Sequence, residues 1–183
     1  YLICHLELTK MAIELHRYDE ALSLLHDAEH YSLNLGEGKL FGAQENDIHY
    51  LRGIVFEKQS KYQSSNEQFF LATQGISEPV QALFYNDPQP DKIFYQGLAW
   101  LKLHETERAV EMFQKLINFG RAHIHDSISI DYFAVSLPDM LVFDTDLDER
   151  NKIHCLYLQG LGNLGLGNAY REEADNYFNE VLK

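Results

Sequence analysis

Apolar and small residues recur along this chain at intervals of three and four, in paired segments separated by short polar turns. The clearest pair begins Gln96-Gly97-Leu98-Ala99-Trp100-Leu101-Lys102-Leu103 and continues after a turn with Glu107-Arg108-Ala109-Val110-Glu111-Met112-Phe113. That spacing belongs to helices buried along one face. Gly97 leaves room for a second helix to approach closely, Ala109 offers the matching small contact, and Phe113 fills the space one turn later. The pattern predicts two antiparallel helices.

It also returns. Arg52-Gly53-Ile54-Val55-Phe56 is followed by Tyr62, Ser65, Phe69 and Ala72, and Leu8-Thr9 by Ala12, Tyr18, Ala21, Leu25 and Ala28. A looser copy runs from Gln159-Gly160-Leu161-Gly162 to Ala174, Tyr177, Phe178 and Leu182, with about two extra residues in the turn near Asn168 and Ala169. A small residue on a first helix facing an Ala twelve positions later resembles the tetratricopeptide repeat (TPR). The expected fold is therefore all-α, an α-solenoid of about four TPR-like antiparallel helix pairs forming one domain over residues 1–183. The spacing is wider than the repeat of about 34 residues: Thr9 to Gly53 and Gly53 to Gly97 are each 44 residues (53−9, 97−53), and Gly97 to Gly160 is 63. The surplus falls in long inter-repeat loops, Leu35 to Gly42, Ser77 to Asp91 and Asp126 to Asp146, and loops of that length often carry function.

Helix punctuation refines the boundaries. Asp146-Leu147-Asp148-Glu149 reads as a capping box, Asp91 as the cap of a helix running to about His104, and Ser136-Leu137-Pro138-Asp139 as the start of a short helix with Pro in its first turn. Ser127 to Tyr132 alternates like a strand but has no partner strand, and reads as extended loop.

Composition narrows the function. A hydrophobic content of 45% over 183 residues suffices for one continuous core. A formal charge of −13 without clustered Lys and Arg argues against nucleic acid and anionic lipid as partners. Apolar runs are too short for a membrane span or signal peptide. The chain opens at Tyr1 within a helical pattern, without Met, and reads as an excised piece of a longer protein. Cys4 and Cys155 lack paired spacings and read as buried free thiols, which favours a reducing, cytoplasmic setting.

Several segments point to a particular relative: Gly36-Glu37-Gly38-Lys39-Leu40, Gln44-Glu45-Asn46-Asp47, Tyr85-Asn86-Asp87, Ile93 to Ala99, Ile130 to Asp139 and His154 to Leu158. They resemble a bacterial family in which a large β-rich region of carbohydrate-active type precedes a TPR tail. The resemblance spans nearly the whole chain and implies no catalytic residue within it. It implies instead a tail that supports a sugar-processing region.

Motifs with chemical overtones have plain structural readings beside them. Gly160-Leu161-Gly162-Asn163-Leu164-Gly165 matches a dinucleotide fingerprint, but it falls where a first helix belongs and leaves no room for a second strand. His26-Asp27-Ala28-Glu29-His30 spells an inverted zincin motif, although Ala28 occupies a packing position and no third ligand is identified. Asp144, Asp146 and Asp148 begin like a calcium loop, yet Glu149 stands at the required Gly and Cys155 at the required Glu. His123 and His125 near Asp126 suggest a metal, and His154 beside Cys155 a thiol catalyst; neighbours on a helix point apart, so that pair cannot work together. No catalytic residue, cofactor or metal is expected.

The expected binding surface lies on the first helices, which line the concave face of such a stack. Positions three before and one after the small residue select Leu6, Tyr50, Phe94 and Tyr157, and Lys10, Ile54, Leu98 and Leu161. The groove is read as Tyr50, Ile54, Phe94, Leu98 and Tyr157, with Asp47 and Asp91 as polar rim, or else as aromatics packed between helices. Its partner would be a protein, a peptide or the upstream part of the same chain. Two functions compete: a protein-interaction or intramolecular scaffolding module, and an accessory tail completing the active site or oligomer of an upstream glycan-processing enzyme.

Overall fold

A computed structural model of the chain describes residues 1–30, 34, 39, 42–82, 87, 89–129 and 146–183. Its long helices are α1 (Leu2–Glu14), α2 (Tyr18–Glu29), α3 (Asn46–Lys58), α4 (Tyr62–Ala72), α5 (Pro90–Lys102), α6 (Thr106–His123), α7 (Leu147–Leu166) and α8 (Arg171–Val181), and Asn168–Tyr170 forms a 3-10 turn before α8. Among the described residues all regular structure is helical, which bears out the all-α expectation. The helices group into two compact units, Tyr1–Gly75 with Leu98–Thr106, and Ile76–Gly97 with Glu107–Lys183.

In the first unit α1 packs on α2, and α3 on α4, as antiparallel pairs. Leu6 on α1 meets Leu25 and Ala28 near the open end of its pair, while Ala12 meets Ala21 near the turn. Gly53 on α3 faces the ring of Phe69, and the Ser65 hydroxyl donates to the Gly53 carbonyl at 2.9 Å. The first pair has Thr9 and Leu25 at the corresponding positions, both fully buried. A larger residue on the first helix is thus matched by a smaller one on the second, which conserves the filled volume. Asn46 closes the second pair, donating to the carbonyls of Ala72 at 2.8 Å and Gln74 at 2.7 Å, acceptors the end of α4 leaves unmatched.

The second unit repeats the device. Gly97 faces Phe113, and Gly160 on α7 faces Phe178 on α8. Helices α6 and α7 approach more closely still: a Cβ on Gly120 would lie 2.4 Å from the Cys155 carbonyl oxygen, and one on Gly162 would lie 2.6 Å from that of Phe113. Small residues at such points allow backbone-to-backbone contact.

The turns repeat as well. His16, Ser60 and His104 all adopt left-handed backbone, with φ of 57°, 60° and 64°. Behind each, an amide reaches back around the helix end: Arg17 to Ala12, Lys61 to Phe56 and Glu105 to Trp100. This is the helix-terminating arrangement usually built on glycine, and Gly167 (φ 98°) occupies the corresponding place after α7. Asp146 caps α7 as expected, its side chain accepting from the amides of Asp148 and Glu149. Asp91 is not a cap. The helix already starts at Pro90, whose fixed φ suits a first helical position, so Asp91 lies inside the first turn. The short helix expected from Ser136 lies outside the described residues.

Candidate functional site

The three expected groove aromatics have one structural role in common. The ring of Tyr50 lies 5.8 Å from Phe69, that of Phe94 5.9 Å from Phe113, and that of Tyr157 6.1 Å from Phe178. Each is half-buried on the second-helix phenylalanine of its own pair. Ile54 is half-buried against the Phe69, Ala72 and Ala99 cluster, and Leu98 is half-buried too. Tyr50, Ile54 and Leu98 belong to the first unit, Phe94 and Tyr157 to the second. Asp47 corrects the expected polar rim: it is fully buried in the first turn of α3, where its carboxylate accepts from the Ile48 amide. Asp91 is half-buried.

The more open apolar surface lies on α1. Leu8, Met11 and Leu15 are 48%, 56% and 57% exposed, and Cys4 is exposed beside them, which corrects its reading as a buried thiol. Spacings of four, three and four place all four on one face. The repeat shows what that face does elsewhere. Adding 44 to each number gives Ile48, Arg52, Val55 and Gln59 on α3. Ile48 packs with Leu25 and Ala28 of α2, Val55 with Ala21, and Arg52 bonds Glu29 at 2.7 Å. The counterparts on α5 are Lys92, Gln96, Ala99 and Leu103, and on α7, 151 residues on from α1 (160−9), Cys155, Gln159, Gly162 and Leu166. All of these are buried or half-buried. Ala99 packs against Phe69 and Ala72 of α4, and Gly162 against Phe113 and Ile117 of α6. At Ile48, Val55, Ala99 and Gly162, then, this face is covered by the preceding helix. On α1 the same positions are apolar and exposed. These positions lie on the face of α1 opposite the expected groove; the sequence signal for them is that α1 is apolar on more than one side.

The chemical motifs resolve into packing. Gly160, Gly162 and Gly165 sit inside α7, where Phe178, Ile117 and Phe113 fill the space their missing side chains leave, so the stretch builds no phosphate loop. The His154 imidazole turns to the Val80 carbonyl, 2.8 Å from Nε2, while the Cys155 thiol turns to Asn151 at 3.7 Å. Burial holds His154 below the usual histidine range despite the Val80 bond. Burial, aided by the Asp126 charge, pushes Cys155 up to about 11, which keeps it an unreactive thiol. His123 pairs with Asp126 at 2.7 Å, and Asp148 accepts from the Ile128 amide at 2.6 Å. Among the described residues one group offers three converging metal-ligating side chains: His26, Glu29 and His30. No described helix is long and apolar enough to cross a membrane.

Compared with known proteins, the chain matches no family model and no solved structure.

Proposed function

We propose that this chain is a protein-interaction and scaffolding module that contributes binding rather than catalysis, and that the Cys4, Leu8, Met11 and Leu15 face of α1 is where a partner helix docks. The observation that carries this reading is the contrast between α1 and its equivalents. The positions that hold one helix pair to the next are filled by apolar side chains on α1 and left in solvent. Exposed apolar area of this kind, contiguous along a helix, marks an interaction site.

The α2–α3 contact supports a reading of the partner's chemistry. Where α2 covers α3 it contributes Ala21, Leu25 and Ala28, small residues seven apart with a leucine between them. The expected occupant is an amphipathic helix with that pattern, laid antiparallel on α1 as the outer helix of a pair, a helix-in-groove mode of recognition. A separate protein, or another segment of the same polypeptide, can supply it. The half-exposed rings of Tyr50, Phe94 and Tyr157 make poorer probes, because alanine there would also strip packing from Phe69, Phe113 and Phe178.

Cys4 provides the test. It is exposed within the face, whereas Cys155 is buried with its thiol held un-ionised, so a maleimide photo-crosslinker at neutral pH labels Cys4 alone. Irradiation in native cell extract is expected to give one dominant adduct through a peptide with alternating small and leucine positions, and Leu8→Glu with Met11→Glu is expected to abolish it. An adduct undiminished in that double variant would refute the assignment.

A further inference from the structure

The C-terminal turn of α2 carries a second feature, independent of the helix-packing faces. His26 and Glu29 lie in the last turn of α2 and His30 follows as its extended C-cap residue, with one ligand atom from each lying within 4.8 Å of the others. The two imidazole rings are 4.3 Å apart, tilted by 38°. We propose that these three side chains form a binding site for a divalent transition-metal ion of the zinc class, its remaining coordination positions open to water.

The histidine chemistry is already set. Nδ1 of His30 lies 2.9 Å from the His26 carbonyl oxygen. A carbonyl can only accept, so Nδ1 carries a hydrogen, and in the neutral ring the lone pair is on Nε2. A neutral imidazole with one nitrogen bonded to a carbonyl and the other free is the form in which histidine binds metal. Both histidines are exposed, so an ion reaches them without opening the core.

Glu29 is equally prepared. Oε2 is held by the Arg52 guanidinium at 2.7 Å, which orients the carboxylate and leaves Oε1 available. Burial alone would raise its pKa, but the Arg52 hydrogen bond and charge outweigh that and hold it below the usual range, so it stays ionised. The nearby cations are already matched: Arg52 by Glu29, and Lys39 by Glu45. The site also lies at a helix C-terminus, where the unsatisfied carbonyls favour positive charge.

Two imidazoles and one carboxylate suit zinc and its neighbours, whereas magnesium and calcium call for oxygen ligands throughout. Metal–ligand bonds of about 2.0–2.2 Å require ligand atoms that converge within a few ångströms, as these three do, all lying within 4.8 Å of one another.

The test is calorimetric titration of Zn2+ into the metal-free chain, without an added histidine tag, beside the His26→Ala, His30→Ala and Glu29→Gln variants. Imidazole nitrogen NMR reports which rings respond. The expected result is one saturable Zn2+ per chain, shifts at Nε2 of His30 and at the His26 ring, and affinity reduced by more than about tenfold in each histidine variant and less in Glu29→Gln. Heat without saturation, or affinity unchanged when His26 and His30 are both replaced, would overturn the proposal. All three residues are half-buried or exposed, so the variants remain folded for comparison.

Discussion

A methyl group added at Gly162 would lie 2.6 Å from the Phe113 carbonyl oxygen, and one at Gly160 would lie 2.5 Å from a carbon of the Phe178 ring. The first neighbour is backbone held in α6; the second is a half-buried side chain on the last helix, with room to swing. Gly162→Ala is therefore expected to cost about 2–3 kcal/mol and Gly160→Ala about 1 kcal/mol, measured by urea denaturation. Equal costs would mean that the α6–α7 contact is looser than described. His154 provides a pH signature at the same scale. Its pKa in the fold is lowered from 6.5, chiefly by burial, so the unfolded chain takes up a proton more readily than the folded one. Stability from the neutral ring is complete above that ordinary value and declines as pH falls through it. The urea midpoint should drop between pH 7.5 and 5.5, and His154→Gln should flatten the drop. These details were only partly legible in the sequence. That His154 and Cys155 diverge followed from helix geometry; that Val80 receives the imidazole did not, because the contact joins residues far apart in the chain.

At the scale of elements, the helices and their pairing are readable because a small residue on a first helix and a large apolar one on the second recur as Thr9/Leu25, Gly53/Phe69, Gly97/Phe113 and Gly160/Phe178. The turns were not readable. His16, Ser60 and His104 occupy a left-handed position that composition assigns to glycine, and their amide neighbours compensate by bonding back to the helix end. Ser60→Gly removes the Cβ strain while keeping those bonds, and is expected to stabilise the chain by about 0.5–1 kcal/mol, read as a rise in melting temperature. The same change at Ser64, inside α4, should destabilise by a similar amount. Asp91 misled as a cap because Pro90, one residue earlier, is itself suited to open the helix. Asp47 is no polar rim because it is fully buried in the first turn of α3, and charge alone does not reveal burial.

At the scale of the molecule, one asymmetry separates α1 from the other first helices. Ile48, Val55, Ala99 and Gly162 are covered by the helix that precedes theirs, and their counterparts on α1 are not covered. The repeat offset that exposes this was present in the sequence, but burial is a property of neighbours, and only coordinates show which face of α1 its own partner α2 leaves open. The direct test is to place a second copy of residues 1–44 immediately before Tyr1, which sets a copy of α2 in the same register to α1 that α2 itself has to α3. A helix-docking face on α1 is expected to give a rise of about 5–10 °C in melting temperature, slowed hydrogen exchange along α1, and loss of both effects when Leu8 and Met11 of the original α1 are changed to glutamate. Unchanged melting and exchange in the duplicated chain would contradict it, and would mean that the exposed face of α1 is not a helix-docking surface.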